Sequence, residues 1–252
     1  MFGNTIEGTG VDSAGNIYAV DFNDSIVSAG QLTGKQALLY KSTNSGSLVS
    51  SMRFYISSDG NEEAFVTDAM LHQVVRLYDR DATTGAFASN EVFCQDASML
   101  EPNDIAIAPS TGRIFLSGMV WNTETVAGDG DLWTCDSTGK AQSLGKFMRT
   151  NGIEVSPDEK TLYLSESKNS NDEPISNIIL AFDLDAASGQ ISNKRIFVDF
   201  EALDKTGNID VDGMRTDTEG NLYVTRNGQE FGGASGTDLY MVGKCSSTEA
   251  KG

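Results

Sequence analysis

Four acidic or amide residues stand at matching distances ahead of an aromatic. Glu7 precedes Tyr18 by eleven residues, Asn103 precedes Phe115 by twelve, Asn151 precedes Tyr163 by twelve, and Asp212 precedes Tyr223 by eleven. Each opens a short apolar run: Glu7-Gly8, Asn103-Asp104-Ile105, Asn151-Gly152-Ile153 and Asp212-Gly213-Met214. Carboxylate and amide oxygens are hard ligands; they suit Ca2+ first, and Mg2+, Mn2+ or Zn2+ less selectively. Two carboxylates match the charge of one divalent cation. Brought together without a cation, Glu7 and Asp212 repel, and one pKa rises. A single Asn or Asp at such a place is an ordinary turn residue. Four in one register, all Asp, Asn or Glu, favour a shared metal site.

What must position them is a repeat. A turn rich in Asp, Ser and Gly, followed by an alternating apolar strand centred on an aromatic, recurs along the chain. The aromatics are Tyr18, Phe65, Phe115, Tyr163, Tyr223 and, in a weaker copy, Tyr240, with spacings of 47, 50, 48, 60 and 17 residues. Spacings of roughly 40–50 residues, each holding several short strands, are the signature of propeller blades. Turn signals at Thr83-Thr-Gly85, Asp136-Ser-Thr-Gly139 and Ala187-Ser-Gly189 separate further strands. No long window carries a helical period. The expectation is all-β: residues 1–252 as one six-bladed β-propeller, with a polar, disordered tail over 246–252. The spacing of 17 leaves the fifth and sixth blades incomplete, either as a truncated product or as blades reduced to an inner pair. The first strand of each blade begins near one end of the central channel, so the four residues converge on its axis. In the second blade the same count falls on Arg53 and Phe54, which offer no ligand; in the sixth it falls on Gly228 and Gln229.

Composition narrows the partners. The chain has 252 residues, 18 basic and 36 acidic, for a net charge of −18. Phosphate would be repelled, which argues against nucleic acid and anionic lipid. No apolar run approaches the roughly 18 residues a membrane helix needs. The start, Met1-Phe-Gly-Asn-Thr5, shows no leader, so the expected compartment is the cytoplasm, with secretion open if residues precede Met1. The expected state is a monomer acting on a small molecule. Three separated cysteines, Cys94, Cys135 and Cys245, read as buried thiols rather than a disulfide framework. A single histidine, His72, excludes a His-rich metal centre.

At the four strand starts the chain resembles the senescence marker protein/gluconolactonase-like family of six-bladed propellers. The segments are Ile6-Glu-Gly-Thr-Gly-Val-Asp12, Glu101-Pro-Asn-Asp-Ile-Ala-Ile107, Thr150-Asn-Gly-Ile-Glu-Val-Ser-Pro-Asp158 and Val211-Asp-Gly-Met-Arg-Thr-Asp217. The resemblance implies a divalent metal, usually calcium, on Glu7, Asn151 and Asp212. Asn103 would be a fourth ligand, as in the related diisopropyl fluorophosphatase, or a substrate contact, as in sugar lactonases. The implied activity is hydrolysis of a sugar lactone or another small lactone, with phosphotriesters as the alternative. A non-catalytic, calcium-stabilised binding propeller is the third reading. Some sugar-acid members carry an Arg two residues before the Asn-Asp pair; Glu101 stands there here, which disfavours a carboxylate-bearing substrate.

In the hydrolase reading the ion polarises the carbonyl and Asp212 activates water as general base. Asp104 is the alternative base, or else a hydrogen-bonding support for Asn103. Arg53 is a candidate contact for a substrate carboxylate or phosphoryl oxygen, or a salt-bridge former. Wall positions should follow the second strands, at Asp68, His72, Ser117, Met119, Glu166 and Arg226, with Trp121 as a substrate-facing lid.

Overall fold

The computed structural model describes residues 6–22, 25–29, 36–227 and 238–242. Short runs that alternate around an aromatic and end in Gly or Asp turns fold as antiparallel meanders. The first sheet holds β1 (Ile6–Val11), β2 (Ile17–Asp21), β3 (Ser25–Ala29) and β4 (Gln36–Lys41). The second holds β5 (Val49–Ile56), β6 (Glu62–Asp68), β7 (Gln73–Arg80) and β8 (Phe87–Gln95). The third runs β9 (Glu101–Ala108), β10 (Arg113–Met119), β11 (Gly130–Cys135) and β12 (Ala141–Phe147). The fourth runs β13 (Arg149–Val155), β14 (Thr161–Ser170), β15 (Glu173–Asp185) and β16 (Gln190–Asp199). One five-residue helix, α1 (Phe200–Asp204), leads to β17 (Asp210–Thr216), β18 (Leu222–Asn227) and β19 (Asp238–Val242), a three-stranded fifth sheet.

The three expected turns are there, each with a glycine at positive φ: Gly85 at 74°, Gly139 at 81° and Gly189 at 74°. The Tyr240 segment, read from the sequence as a sixth blade, is instead the third strand of the fifth sheet. It pairs with β18 from Leu222 opposite Val242 to Arg226 opposite Asp238. Gly228, Gln229, Cys245 and the 246–252 tail lie outside the described residues.

The repeat aromatics explain how the sheets stack. Tyr18 fills the core between the first and second sheets, Phe65 that between the second and third. Phe115 and Tyr163 do the same for the next two clefts. First strands pack in series, β1 on β5, β5 on β9, β9 on β13 and β13 on β17. That is propeller packing, with first strands innermost. Among the described residues no sheet follows the fifth, and Tyr223 lines the central cavity instead. No helix among the described residues is long and apolar enough to cross a membrane.

One expectation fails outright. Cys94, in β8, and Cys135, in β11, form a disulfide with their Cα atoms 6.3 Å apart, both buried between the second and third sheets. A separation of 41 residues looked too long to pair, but it is close to one blade period, so the two cysteines meet across adjacent sheets. Closing a loop of that size contributes roughly 2–4 kcal/mol. Replacing both cysteines by serine should lower the melting midpoint by roughly 5–10 °C, and reductant should do the same to the parent protein. An unchanged midpoint in calorimetry would refute the staple.

Candidate metal centre

Every first strand carries a bulge at one level. The register breaks between Glu7 and Thr9, between Val49 and Met52, between Thr150 and Ile153, and between Val211 and Met214. In β9 two residues, Asn103 and Asp104, face the single residue Ser117 between the Pro102–Gly118 and Ile105–Leu116 pairs. A bulge leaves a residue out of the ladder and turns its side chain out of the pleat; Asn103, Asn151 and Asp212 are such residues and line the central cavity, while in β1 the residue left out is Gly8, next to Glu7 opposite Val20. The second sheet therefore presents Ser50 and Ser51, not Arg53 and Phe54. Ser51 stands 14 residues before Phe65, more than the other blades' eleven or twelve, because the ladder beyond the bulge runs from Met52 to Ile56 on β5, longer than in the other sheets, while the turn keeps its usual length.

Unpaired bulge groups must find partners, and in the second to fifth sheets a hydroxyl two residues after the aromatic supplies them. The amide of Ser51 donates to Thr67 Oγ1 at 2.8 Å, that of Asp104 to Ser117 Oγ at 3.2 Å, and that of Asn151 to Ser165 Oγ at 3.2 Å. Thr225 Oγ1 donates to the Gly213 carbonyl at 3.0 Å. The signal stands in the sequence as Phe65-Val-Thr67, Phe115-Leu-Ser117, Tyr163-Leu-Ser165 and Tyr223-Val-Thr225, yet counting only ligand types missed it. Ser117 was expected at the cavity wall; it is fully buried, holding the Asn151 carbonyl.

Two glycines let the strands approach closely enough to share a site. A Cβ on Gly152 would lie 2.3 Å from the Asp212 carbonyl, and one on Gly8 would lie 2.9 Å from the Ser50 carbonyl. Gly152→Ala should therefore push β13 from β17 and cost roughly 1–3 kcal/mol. Because the displaced strands carry Asn151 and Asp212, Ca2+ affinity by calorimetry should fall at least about tenfold. A variant binding Ca2+ normally would show that the close approach is not needed.

Glu7, Asn103, Asn151 and Asp212 line one cavity of about 310 Å³, with Thr9, Ser50, Ser51 and Arg215 also in its wall. Burial, then the charge of Asp212, pushes the Glu7 carboxyl up to about 7. Asn151 Oδ1 is buried with no hydrogen-bond donor. An oxygen-only set with one orphaned amide carbonyl and two mutually repelling carboxylates fits a hard divalent cation. Among the described residues no group of three or more His, Cys, Asp and Glu is placed to hold a metal; this set has two carboxylates, and its other donors are amides.

Beneath the four lies a buried charge cluster. Asp104 accepts from Ser51 Oγ at 2.7 Å, the Ile105 amide at 2.8 Å and the Ile153 amide at 3.3 Å. Arg53 sits 3.3 Å from its Oδ1 and Arg215 3.5 Å from its Oδ2. Although burial opposes it, these two guanidiniums and the Ser51 bond hold the Asp104 carboxyl below its ordinary range. A carboxylate so engaged is a poor base, and the geometry favours Asp104 as support for Asn103. Arg53 is 3.7 Å from Glu154 and lines a separate cavity of about 300 Å³ with Tyr55, Ile107 and Pro109. It is not in the wall of the cavity that Glu7, Asn103, Asn151 and Asp212 line.

Trp121 is also outside that wall. It is exposed, donates from Nε1 to Asp172 at 2.7 Å and stacks on Arg149 at 4.1 Å. Asp68, Glu166 and Arg226 carry structural hydrogen bonds instead: Asp68 accepts the Leu48 amide, Glu166 the Met148 amide, and Arg226 caps carbonyls beside α1. His72 and Met119 are likewise away from the cavity wall.

The family model described as the SMP-30/Gluconolactonase/LRE-like region matches residues 7–231. A luciferin-regenerating enzyme superposes with a TM-score of 0.63 at 22% identity, over 88% of this chain and 68% of that one. Regucalcin from Agrobacterium tumefaciens, described as a calcium-binding protein, gives 0.64 at 21% identity, over 93% and 70% of the two chains. A gluconolactonase from Xanthomonas campestris gives 0.60 at 18% identity, over 93% and 72%. At these identities the likeness to solved structures shows the fold.

Proposed function

Since the chain belongs to the SMP-30/gluconolactonase/LRE-like family, we propose that it is a divalent-cation-dependent hydrolase of small lactones, with Ca2+ as its ion. The observation that carries the reading is the convergence of Glu7, Asn103, Asn151 and Asp212 from four different sheets on one cavity. Their oxygens would hold the cation, with Asn103 as ligand or substrate contact. When bound, the cation supplies Lewis-acid polarisation of the lactone carbonyl.

The rest is done by the chain. Asp212 takes the proton of the attacking water; its position at a bulge leaves the carboxylate facing the cavity. Asn103 and Asn151 stay fixed because their strands are clamped by Ser117, Ser165 and Thr67. Asp104, gripped by Arg53 and Arg215, holds the Asn103 bulge in place. The cavity, about 310 Å³, suits a five- or six-membered ring, at the small end of ligand pockets.

The test is a paired assay: thermal melting against added Ca2+, and turnover on a panel of lactones with a phosphotriester for contrast. Ca2+-dependent stabilisation with Ca2+-dependent lactone opening is expected. Stabilisation without turnover of any ester would leave a binding propeller and sink the hydrolase reading. Faster turnover of the phosphotriester than of every lactone would move it to the other ester class.

A further inference from the structure

Among the described residues, four charged ones line the metal-side cavity, and three of them, Glu7, Asp104 and Asp212, are acidic; the fourth is Arg215. Its guanidinium crosses the channel from β17, reaching the Thr9 carbonyl of β1 at 3.0 Å and Asp104 Oδ2 of β9 at 3.5 Å. Its side chain keeps 38% of its surface exposed, against 13% for Arg53. The sequence argument against a carboxylate-bearing substrate rested on Glu101. That residue is exposed at the start of β9 and is absent from the cavity wall. The side chain set to repel an anion is outside the cavity, and one that attracts an anion is inside.

We propose that Arg215 is a specificity-determining residue and that the preferred substrates are lactones bearing a second, anionic group, a ring carboxylate above all. The proposal rests on the hydrolase reading. A guanidinium presents a planar fork of donors matched to carboxylate geometry. Asp104 does not cancel its charge, because that single carboxylate is shared with Arg53. Glu154, the other acid of the cluster, lies in the far cavity and contacts Arg53 at 3.7 Å; it feels the charge of Arg215 as well, but its ion pair is with Arg53, so the cluster holds two guanidiniums against Asp104 and a Glu154 whose ionisation burial opposes. The two acids at the mouth repel an incoming anion until a divalent cation balances them, so anion binding at Arg215 should require the cation.

The test uses two γ-butyrolactones that differ only in carrying a ring carboxylate or a ring hydroxymethyl group. With Ca2+ present the carboxylate form should be hydrolysed with a kcat/KM roughly 10- to 100-fold higher, a size expected for one charge-assisted pair. In Arg215→Met the ratio should fall to within about threefold of one, through KM for the carboxylate form; Arg215→Lys should keep part of it. A second readout needs no turnover: the corresponding pair of γ-lactams, followed by Ca2+-dependent thermal shift. Only the carboxylate lactam should stabilise the parent, and Arg215→Met should lose that shift even at a Ca2+ concentration that saturates the variant. A wild-type ratio near one, or a ratio that survives Arg215→Met, overturns the proposal. Arg215-dependent lactam binding with neither lactone opened would overturn the hydrolase reading alone.

Discussion

Asp212→Asn is expected to lower kcat/KM for lactone opening by at least about 10³-fold while the protein stays folded. Two effects multiply. The substitution removes one of the two carboxylates at the proposed metal site, which should weaken Ca2+ binding by roughly 10- to 100-fold. It also removes the proposed base, an effect of roughly 10²–10⁴-fold on its own. Glu7→Gln separates them, since it lowers affinity by a similar factor yet leaves the base; at saturating Ca2+ most of its turnover should return. Neither variant should unfold the chain. Without metal, Asp212 is part of what pushes Glu7 up to about 7, so its neutralisation relieves repulsion and the metal-free midpoint should hold or rise. Steady-state kinetics at saturating Ca2+ with calorimetric titration measures both factors. Full turnover by Asp212→Asn at saturating metal would remove Asp212 from the chemistry.

The proposed ligand set was legible in the sequence because each of its members stands at a fixed distance from an aromatic, and that distance is set by one short ladder and one tight turn. Where the ladder between bulge and turn stayed short, at Glu7, Asn103, Asn151 and Asp212, counting found residues that line the cavity. In the second blade a longer ladder beyond the bulge, Met52–Ile56 against Glu62–Val66, moved the bulge to Ser50-Ser51, and the same counting landed on Arg53. What the sequence hid was contact between blades. The Cys94–Cys135 bridge, the shared grip of Arg53 and Arg215 on Asp104, and Arg215 in the wall all join residues on different sheets. Strand periodicity fixes which face a side chain takes, but the partner across the cleft depends on how far each sheet is rotated. Trp121 failed for a related reason: an indole just after a second strand could cover the channel or lie outward, and pairing with Asp172 and Arg149 holds it outward.

Ca2+ affinity is expected to rise roughly 10- to 100-fold between pH 5 and pH 8, while the metal-free protein loses stability as pH climbs through part of the same range. Both follow from Glu7, whose carboxyl stands at about 7 in the folded chain against an ordinary 4.5. A cation must displace that proton, so binding weakens about tenfold per pH unit below 7 and levels off above it. The folding sign is opposite to that of a salt-bridged carboxylate. Below pH 4.5 Glu7 is protonated folded and unfolded, and it contributes no slope. From 4.5 to 7 the unfolded chain releases the proton while the folded chain keeps it, so stability falls as pH rises. Above 7 the penalty is complete and constant. Glu154, also pushed up by burial, adds a slope of the same sign but away from the ion. Glu7→Gln therefore isolates the metal-site part: the variant should lose its share of the slope and bind Ca2+ with little pH dependence. Saturating Ca2+ should do the same to the parent by holding Glu7 ionised. A parent whose Ca2+ affinity is flat from pH 5 to pH 8 would mean that Glu7 is not a ligand, however well its position in the cavity suits one.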